Sequence, residues 1–216
     1  MKIMCISYRD WALKIYEKLV LEFSNKYDFK IISSKSEFDK KKIHDFNPDI
    51  ILWYGWSWFV EKKIINNYNS IMLHPSPLPK YRGGSPIQNQ IINGESVSAV
   101  TLFKMTENLD DGDIYFQQKF SLEGSLDQIF ERITDLGYAG TLKILNNDFK
   151  LISQDNSDAT YFKRRRVEES EITIDEIKSN SAEFLHNKIR MLNDPYPNAF
   201  IKCADGKKLF LIKSKI

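Results

Sequence analysis

The chain has 216 residues, 42% hydrophobic and 13% aromatic, which suits one sizeable core and excludes a disordered body. Basic residues (31) nearly balance acidic ones (29), and a net charge of +2 gives no pull toward nucleic acid or an anionic membrane. No apolar run is long enough to span a bilayer, and the start MKIMCISYRDW lacks the pattern of a signal peptide, so the cytoplasm is the expected compartment.

In chain order, Lys2 to Ile6 reads as a strand and Trp11 to Phe23 as an amphipathic helix. Phe29 to Ile32 reads as a second strand, and Ser36 is placed to cap a short polar helix running to about Asp45. After the turn Asn47-Pro48-Asp49, the almost wholly apolar run Ile50 to Tyr54 fits a strand covered on both faces. A helix over about Phe59 to Asn67 and a strand at Ser70 to Leu73 follow. Val100 to Met105 and Ile114 to Phe120 add two strands, and Ser125 to about Leu145 is the clearest helix, with Leu126, Ile129, Phe130, Ile133, Leu136 and Leu142 along one face. Beyond a composition shift at Gln154–Asp158 come a basic run (Lys163–Arg166), a helix near Ser181–Leu192 and a hairpin turning at Asp205-Gly206. Alternating strands and helices predict an α/β fold, a doubly wound and mostly parallel sheet. The expected organisation is a catalytic domain over residues 1–153 and a small helix-plus-hairpin subdomain over 154–216. The hairpin suits either a homodimer contact or a cover for its own core.

In a doubly wound sheet ligands meet the carboxyl ends of the strands. That singles out the loops Ser7–Asp10, Tyr54–Trp58 and His74–Gly84. His74 directly follows a predicted strand, on a loop stiffened by Pro75, Pro77 and Pro79, where an imidazole can exchange a proton with a ligand or simply fix the loop. Asp110 ends another strand, where its carboxylate can orient that imidazole or serve as a solvated acidic turn. Asp110, Asp111 and Asp113 lack the further ligands of a calcium loop, so no metal is expected. Cys5 and Cys203 read as reduced core thiols, and no Cys/His spacing suits zinc.

Lys80 and Arg82, flanking Tyr81, can hold a substrate phosphate or carboxylate or lie solvated at the surface, and Arg9 carries a weaker form of the same reading. Ser7-Tyr8-Arg9-Asp10 contains no dinucleotide fingerprint, which argues against a nicotinamide cofactor. Trp56, Trp58 and Phe59 at the end of a central strand can wall a flat pocket for a heterocycle, or pack in the core. The basic run at 163–166 is a solvated or locally paired segment in a chain this neutral.

Taken together these segments resemble the folate-dependent formyltransferases. His74-Pro75-Ser76-Pro77-Leu78-Pro79-Lys80-Tyr81-Arg82-Gly83 is similar to the family's catalytic-histidine loop. Leu109-Asp110-Asp111-Gly112-Asp113-Ile114 is similar to its catalytic-aspartate loop, and the separation from His74 selects Asp110. Gly94-Glu95, Val100-Thr101, Ala159-Thr160-Tyr161, Ile189-Arg190-Met191-Leu192 and Pro195-Tyr196-Pro197-Asn198-Ala199-Phe200 extend the likeness over most of the chain. The resemblance implies a Rossmann-like domain and 10-formyltetrahydrofolate as donor, leaving as tetrahydrofolate. It implies His74 and Asp110 as catalytic residues. It also implies a donor site at Trp56, Trp58, Phe59, Val60, Asn108, Leu109 and Asp110, and acceptor contacts from Arg9, Lys80, Tyr81 and Arg82. One member is missing: the family's asparagine two residues before the histidine is Met72 here, and a thioether donates no hydrogen bond.

The wording of the histidine loop is most similar to the sugar N-formyltransferases of the pseudaminic-acid-pathway type. Their acceptor is a nucleotide-linked amino sugar such as a UDP-4-amino-4,6-dideoxy sugar. Methionyl-tRNA or another amine is the alternative acceptor, disfavoured by the balanced charge and the single hairpin in place of a full C-terminal barrel. A catalytically impaired folate- or sugar-nucleotide-binding remnant is the reading that Met72 keeps open.

Overall fold

The computed structural model describes all 216 residues, Met1–Ile216. Ten strands and seven helices follow one another in the order β1 (Lys2–Ile6), α1 (Asp10–Phe23), β2 (Asp28–Ile32), α2 (Lys40–Phe46), β3 (Ile50–Tyr54), α3 (Lys62–Asn67), β4 (Asn69–His74), β5 (Arg82–Gly83), α4 (Pro86–Ile92), β6 (Val97–Lys104), β7 (Ile114–Ser121), α5 (Leu126–Leu145), β8 (Tyr161–Phe162), α6 (Ile174–Ser179), α7 (Ala182–Met191), β9 (Ala199–Lys202) and β10 (Lys208–Leu211).

The central sheet has the order β2-β1-β3-β4-β6-β7, with the first four strands parallel and the last two antiparallel. The expected mostly parallel α/β fold is therefore present. Apolar residues alternate between two cores because successive side chains of a strand face opposite ways. Ile3, Cys5, Ile50, Leu52 and Tyr54 join the larger core under α1 and α5. Met4, Ile6, Ile51 and Trp53 join the smaller core on the other face with Ile43 and Ile64. The larger core also takes in Ile172, Ile189, Met191 and Ala199, so the tail packs on the same centre.

From β1 the chain turns to β2 on one side and later to β3 on the other, which opens a crevice at the carboxyl ends of β1 and β3. Tyr16 of α1 stitches that fork. Its hydroxyl donates to the Leu52 carbonyl at 2.8 Å, with the Ile6 carbonyl at 3.1 Å as the alternative acceptor, and accepts the Tyr54 N–H at 2.9 Å. Burial of this phenol among backbone groups pushes its pKa well above the ordinary value.

Some expected boundaries move. Asp39 rather than Ser36 caps α2, accepting the Lys41 N–H, while Ser33–Glu37 forms its own turn. The helix expected from Phe59 begins at Lys62, because the extended segment before it turns Trp56 and Val60 into the core and leaves Phe59 81% exposed. α5 begins as expected, with Ser125 and Gln128 forming a reciprocal capping box. Cys5 is a free thiol in the core, but Cys203, expected there too, is exposed at the hairpin turn. That hairpin buries Ala199 and Phe200 and turns Leu209, Phe210 and Ile212 outward. No helix is long and apolar enough to cross a membrane.

Candidate active site

The parallel run of the sheet ends at β4, and His74 is its last residue. The loop behind it is stitched to the sheet rather than left free. Thr101 donates to the Ser76 carbonyl at 2.6 Å, Gln90 to the Pro75 carbonyl at 2.9 Å and Gln117 to the Leu78 carbonyl at 2.9 Å. Tyr81 then adopts a left-handed backbone (φ +61°), which turns its carbonyl back onto His74. His74 Nε2 lies 2.8 Å from the Tyr81 oxygen. A carbonyl only accepts, so Nε2 carries the proton and Nδ1 of a neutral ring presents a lone pair.

Asp110 faces that nitrogen. Its Oδ2 lies 3.7 Å from His74 Nδ1, and both side chains are nearly enclosed. The same oxygen accepts the Gly83 N–H at 2.8 Å. Asp110 also has a left-handed backbone (φ +50°), which Asp tolerates better than most residues. Its carbonyl accepts from Gln154 Nε2 at 3.0 Å, and the Gly112 carbonyl accepts from the same amide at 2.8 Å. Asp111 is spent inside its own loop, bonded to Thr106 and Asn108, and Asp113 accepts from Ser153.

One cavity of about 700 Å³ joins most of the expected residues: Arg9, Trp56, Trp58, Phe59, Val60, Met72, His74, Asn108, Leu109 and Asp110 all line it. Its aromatic wall is continuous. Trp56 and Trp58 lie 4.7 Å apart, Tyr8 packs 4.6 Å from Trp58, and the Lys35 ammonium stands 5.4 Å from the Trp58 ring. Trp56 serves both readings offered for it, since it is buried in the smaller core and lines the cavity.

Lys80, Tyr81 and Arg82 are not brought there. Lys80 points to solvent, and Tyr81 stacks on Phe162 (4.8 Å between rings) and donates to Glu95. Arg82 is 1% exposed, and its guanidinium donates to Gln154 Oε1 (2.7 Å), Asn156 Oδ1 (2.8 Å) and the Tyr161 hydroxyl (2.8 Å). The expected substrate contacts from these three give way to loop architecture. The basic run divides: Lys163 and Arg164 line the cavity, whereas Arg165 and Arg166 bond to Ser85 and Glu169.

Two participants, Gln154 and Tyr196, escape the sequence reading, and a third, Gln88, is with Asn89 a nearby amide that the sequence offers in place of the asparagine but does not place. Gln154 ties Arg82 to the Asp110 loop, and a lone glutamine gives no signal for that. Tyr196 lies in a motif already singled out, but its approach to Arg9 (5.2 Å from guanidinium to ring) is a tertiary event. Gln88 lines the cavity, while its neighbour Asn89 turns away to donate to the Gly84 carbonyl.

The chain is similar to known formyltransferases in sequence and in fold. The model of the family described as formyl transferase matches residues 13–145. A methionyl-tRNA formyltransferase of Ehrlichia ruminantium (strain Gardel) is 32% identical over 182 residues, covering 82% of this chain and 57% of the relative. The chain thus spans somewhat over half the length of such curated relatives. Among solved structures, a methionyl-tRNA formyltransferase from Clostridium thermocellum superposes with a TM-score of 0.86 at 31% identity, over 97% of this chain and 96% of that one. A 4-N formyltransferase from Francisella tularensis gives 0.79 at 22% identity over 100% and 98%, a likeness of fold.

Proposed function

The chain belongs to the formyl transferase family, and we propose that it moves a formyl group from 10-formyltetrahydrofolate to the amine of a nucleotide-linked amino sugar. The observation that carries the reading is the His74–Asp110 pair in a cavity that Trp56, Trp58 and Phe59 also line. The cavity suits a folate. Trp56, Trp58, Phe59 and Val60 offer flat apolar surface for a heterocycle, and the 108–110 loop offers backbone and carboxylate acceptors for its N–H groups. When bound, the donor supplies an activated formyl carbon open to attack by an amine.

The chain's own part is positioning and proton transfer. The Tyr81 carbonyl fixes the imidazole with Nε2 protonated, so Nδ1 is the nitrogen that takes a proton from the attacking amine. At 3.7 Å the Asp110 carboxylate is beyond a hydrogen bond in this state and acts through its charge, facing the imidazolium once it forms. The imidazolium can then return the proton to the leaving nitrogen.

Support for a sugar acceptor comes from the wording of the histidine loop and the near-zero net charge. A second reading, methionyl-tRNA, is favoured by the relatives and the structure of that name that match this chain at 31–32% identity. A product screen separates them. The chain is incubated with 10-formyltetrahydrofolate and, in parallel, UDP- and dTDP-linked 4-amino sugars and methionyl-tRNA, and products are weighed by mass spectrometry. A formylated sugar nucleotide is expected; product on methionyl-tRNA alone overturns the sugar reading, and binding with no product on any amine leaves a binding protein.

A further inference from the structure

The near-zero net charge of the chain hides an uneven distribution. The hairpin of β9 and β10 and the segment after it, residues 199–216, hold five lysines and one aspartate. That leaves 26 of the 31 basic and 28 of the 29 acidic side chains for the other 198 residues, so the excess positive charge lies entirely in the hairpin.

The base of the hairpin is anchored. Ala199 and Phe200 are buried, and the Phe200 carbonyl accepts the Ile172 N–H at 2.7 Å. Beyond it every residue from Lys202 to Phe210 is exposed, so the tip stands clear of the body. Successive strand residues point to opposite faces, so Leu209 leans to one face and Phe210 to the other. Each is more than half exposed (56% and 54%), and Ile212 follows at 53%. Basic and apolar groups are in contact rather than segregated. Lys208 and Phe210 both pack on the Phe200 ring, the ammonium at 4.1 Å and the Phe210 ring edge-on at 6.2 Å. Lys202 pairs with Glu171 and Lys207 with Asp205, whereas Lys208, Lys213 and Lys215 pair with no carboxylate of the chain.

Three kinds of partner differ in what they would cover. A second copy docking by the same hairpin sets lysines against lysines, and covers one face of each tip while the other stays in water. RNA neutralises the lysines but gives Leu209 and Ile212, which have no ring to stack on a base, nothing to pack against. An anionic lipid surface takes both groups. Apolar side chains on either face of the tip enter the boundary between headgroups and acyl chains, and lysine stems lie along it with their ammoniums on the phosphates.

We propose that the tip of the β9–β10 hairpin docks the chain on an anionic lipid bilayer, inserting Leu209, Phe210 and Ile212 between headgroups that Lys207, Lys208, Lys213 and Lys215 engage. This goes beyond the formyl-transfer reading and does not depend on it.

The chain carries its own reporter site for the test. Cys203 is exposed at the tip and Cys5 is buried in the core, so a maleimide dye with polarity-dependent emission labels the hairpin alone. Labelled protein is titrated with phosphatidylcholine vesicles, with and without about one-third phosphatidylglycerol. The anionic vesicles are expected to shift the emission to the blue and to carry unlabelled chain down on sedimentation. Neutral vesicles are expected to bind about tenfold or more weakly, and added salt to weaken anionic binding. The double variants Lys213→Glu with Lys215→Glu, and Phe210→Ser with Ile212→Ser, are each expected to weaken anionic binding by about tenfold or more. Thermal unfolding checks the serine variant; should it fail to fold, the glutamate variant carries the test, because both lysines are exposed and lie outside β10. No blue shift and no sedimentation with anionic vesicles overturn the proposal, as do two variants that bind as wild type does. A dimer that the serine variant dissociates, without vesicle binding, gives the tip to a second copy. Binding confined to RNA gives it to a nucleic acid.

Discussion

Asp110 Oδ2 stands 3.7 Å from His74 Nδ1 while accepting the Gly83 N–H at 2.8 Å, so one carboxylate both holds the proline loop and faces the imidazole. Asn at 110 keeps an acceptor for Gly83 and deletes the charge. Asp110→Asn is therefore expected to fold normally and to lose about 10²–10⁴ in kcat, with KM for the donor little changed. His74→Ala is expected to lose at least as much. Steady-state kinetics on the purified variants, with circular dichroism to check the fold, decide it; turnover unchanged in His74→Ala removes the imidazole from the mechanism.

Arg82 is a different kind of residue from the one its neighbours suggest. Its enclosed guanidinium has three partners from the 154–161 segment and none in the cavity. Arg82→Lys replaces the planar fork with a single ammonium that cannot reach all three acceptors, and a loss of about 3 kcal/mol follows, which for a chain this size lowers Tm by roughly 6–12 °C. The folded fraction is expected to keep its acceptor KM within about twofold. A large KM rise with an unchanged Tm would return Arg82 to the substrate.

Gly112 shows how tightly the acidic loop lies on the sheet. A Cβ there would come within 1.7 Å of the Lys104 carbonyl, at the end of β6 where Lys104 also bonds to Asp113. Gly112→Ala must push the loop off β6 and move Asp110 with it, at a cost of about 3 kcal/mol and about tenfold or more in kcat. Gly94 offers the contrast: its φ is +81° but a Cβ meets nothing within 4 Å. Gly94→Ala is expected to cost only about 1 kcal/mol of backbone strain, with kcat unchanged. Equal losses in both variants would mean that the Gly112 contact is not special.

The contrast between Arg82 and His74 also marks what the sequence could tell. A strand-terminal histidine is legible because the apolar run before it fixes the strand, and ligands meet strand ends in this architecture. The alternation of strands and helices, the apolar stripe of α5 and the aromatic cluster after β3 are legible because each is a local pattern. Arg82 misleads because adjacent residues of a loop share a sequence neighbourhood but not a direction. Lys80 faces water, the Tyr81 ring stacks inward and the Arg82 guanidinium runs under the 154–161 segment. Gln88, Tyr196 and Gln154 act through partners 42 or more residues away, or through having no partner, and neither leaves a periodic trace.

Met72 is the site's remaining peculiarity. It precedes His74 by two residues on β4, so the two side chains project from the same face of the strand, and both line the cavity. In the family that this chain resembles, an asparagine holds that place, and a donor aimed at a developing oxyanion contributes about 10²–10³ in kcat. The thioether instead packs against both the smaller core and the Leu78–Phe103–Ile114 cluster. Met72→Asn exchanges that packing for an amide, which costs about 1–2 kcal/mol of stability. If the missing donor limits the chain, kcat rises by about tenfold to a hundredfold while Tm falls. An unchanged kcat means that the imidazolium, or another donor in the cavity, already serves the oxyanion. Product from Met72→Asn and none from the wild type would show that this one residue separates a binding protein from an enzyme.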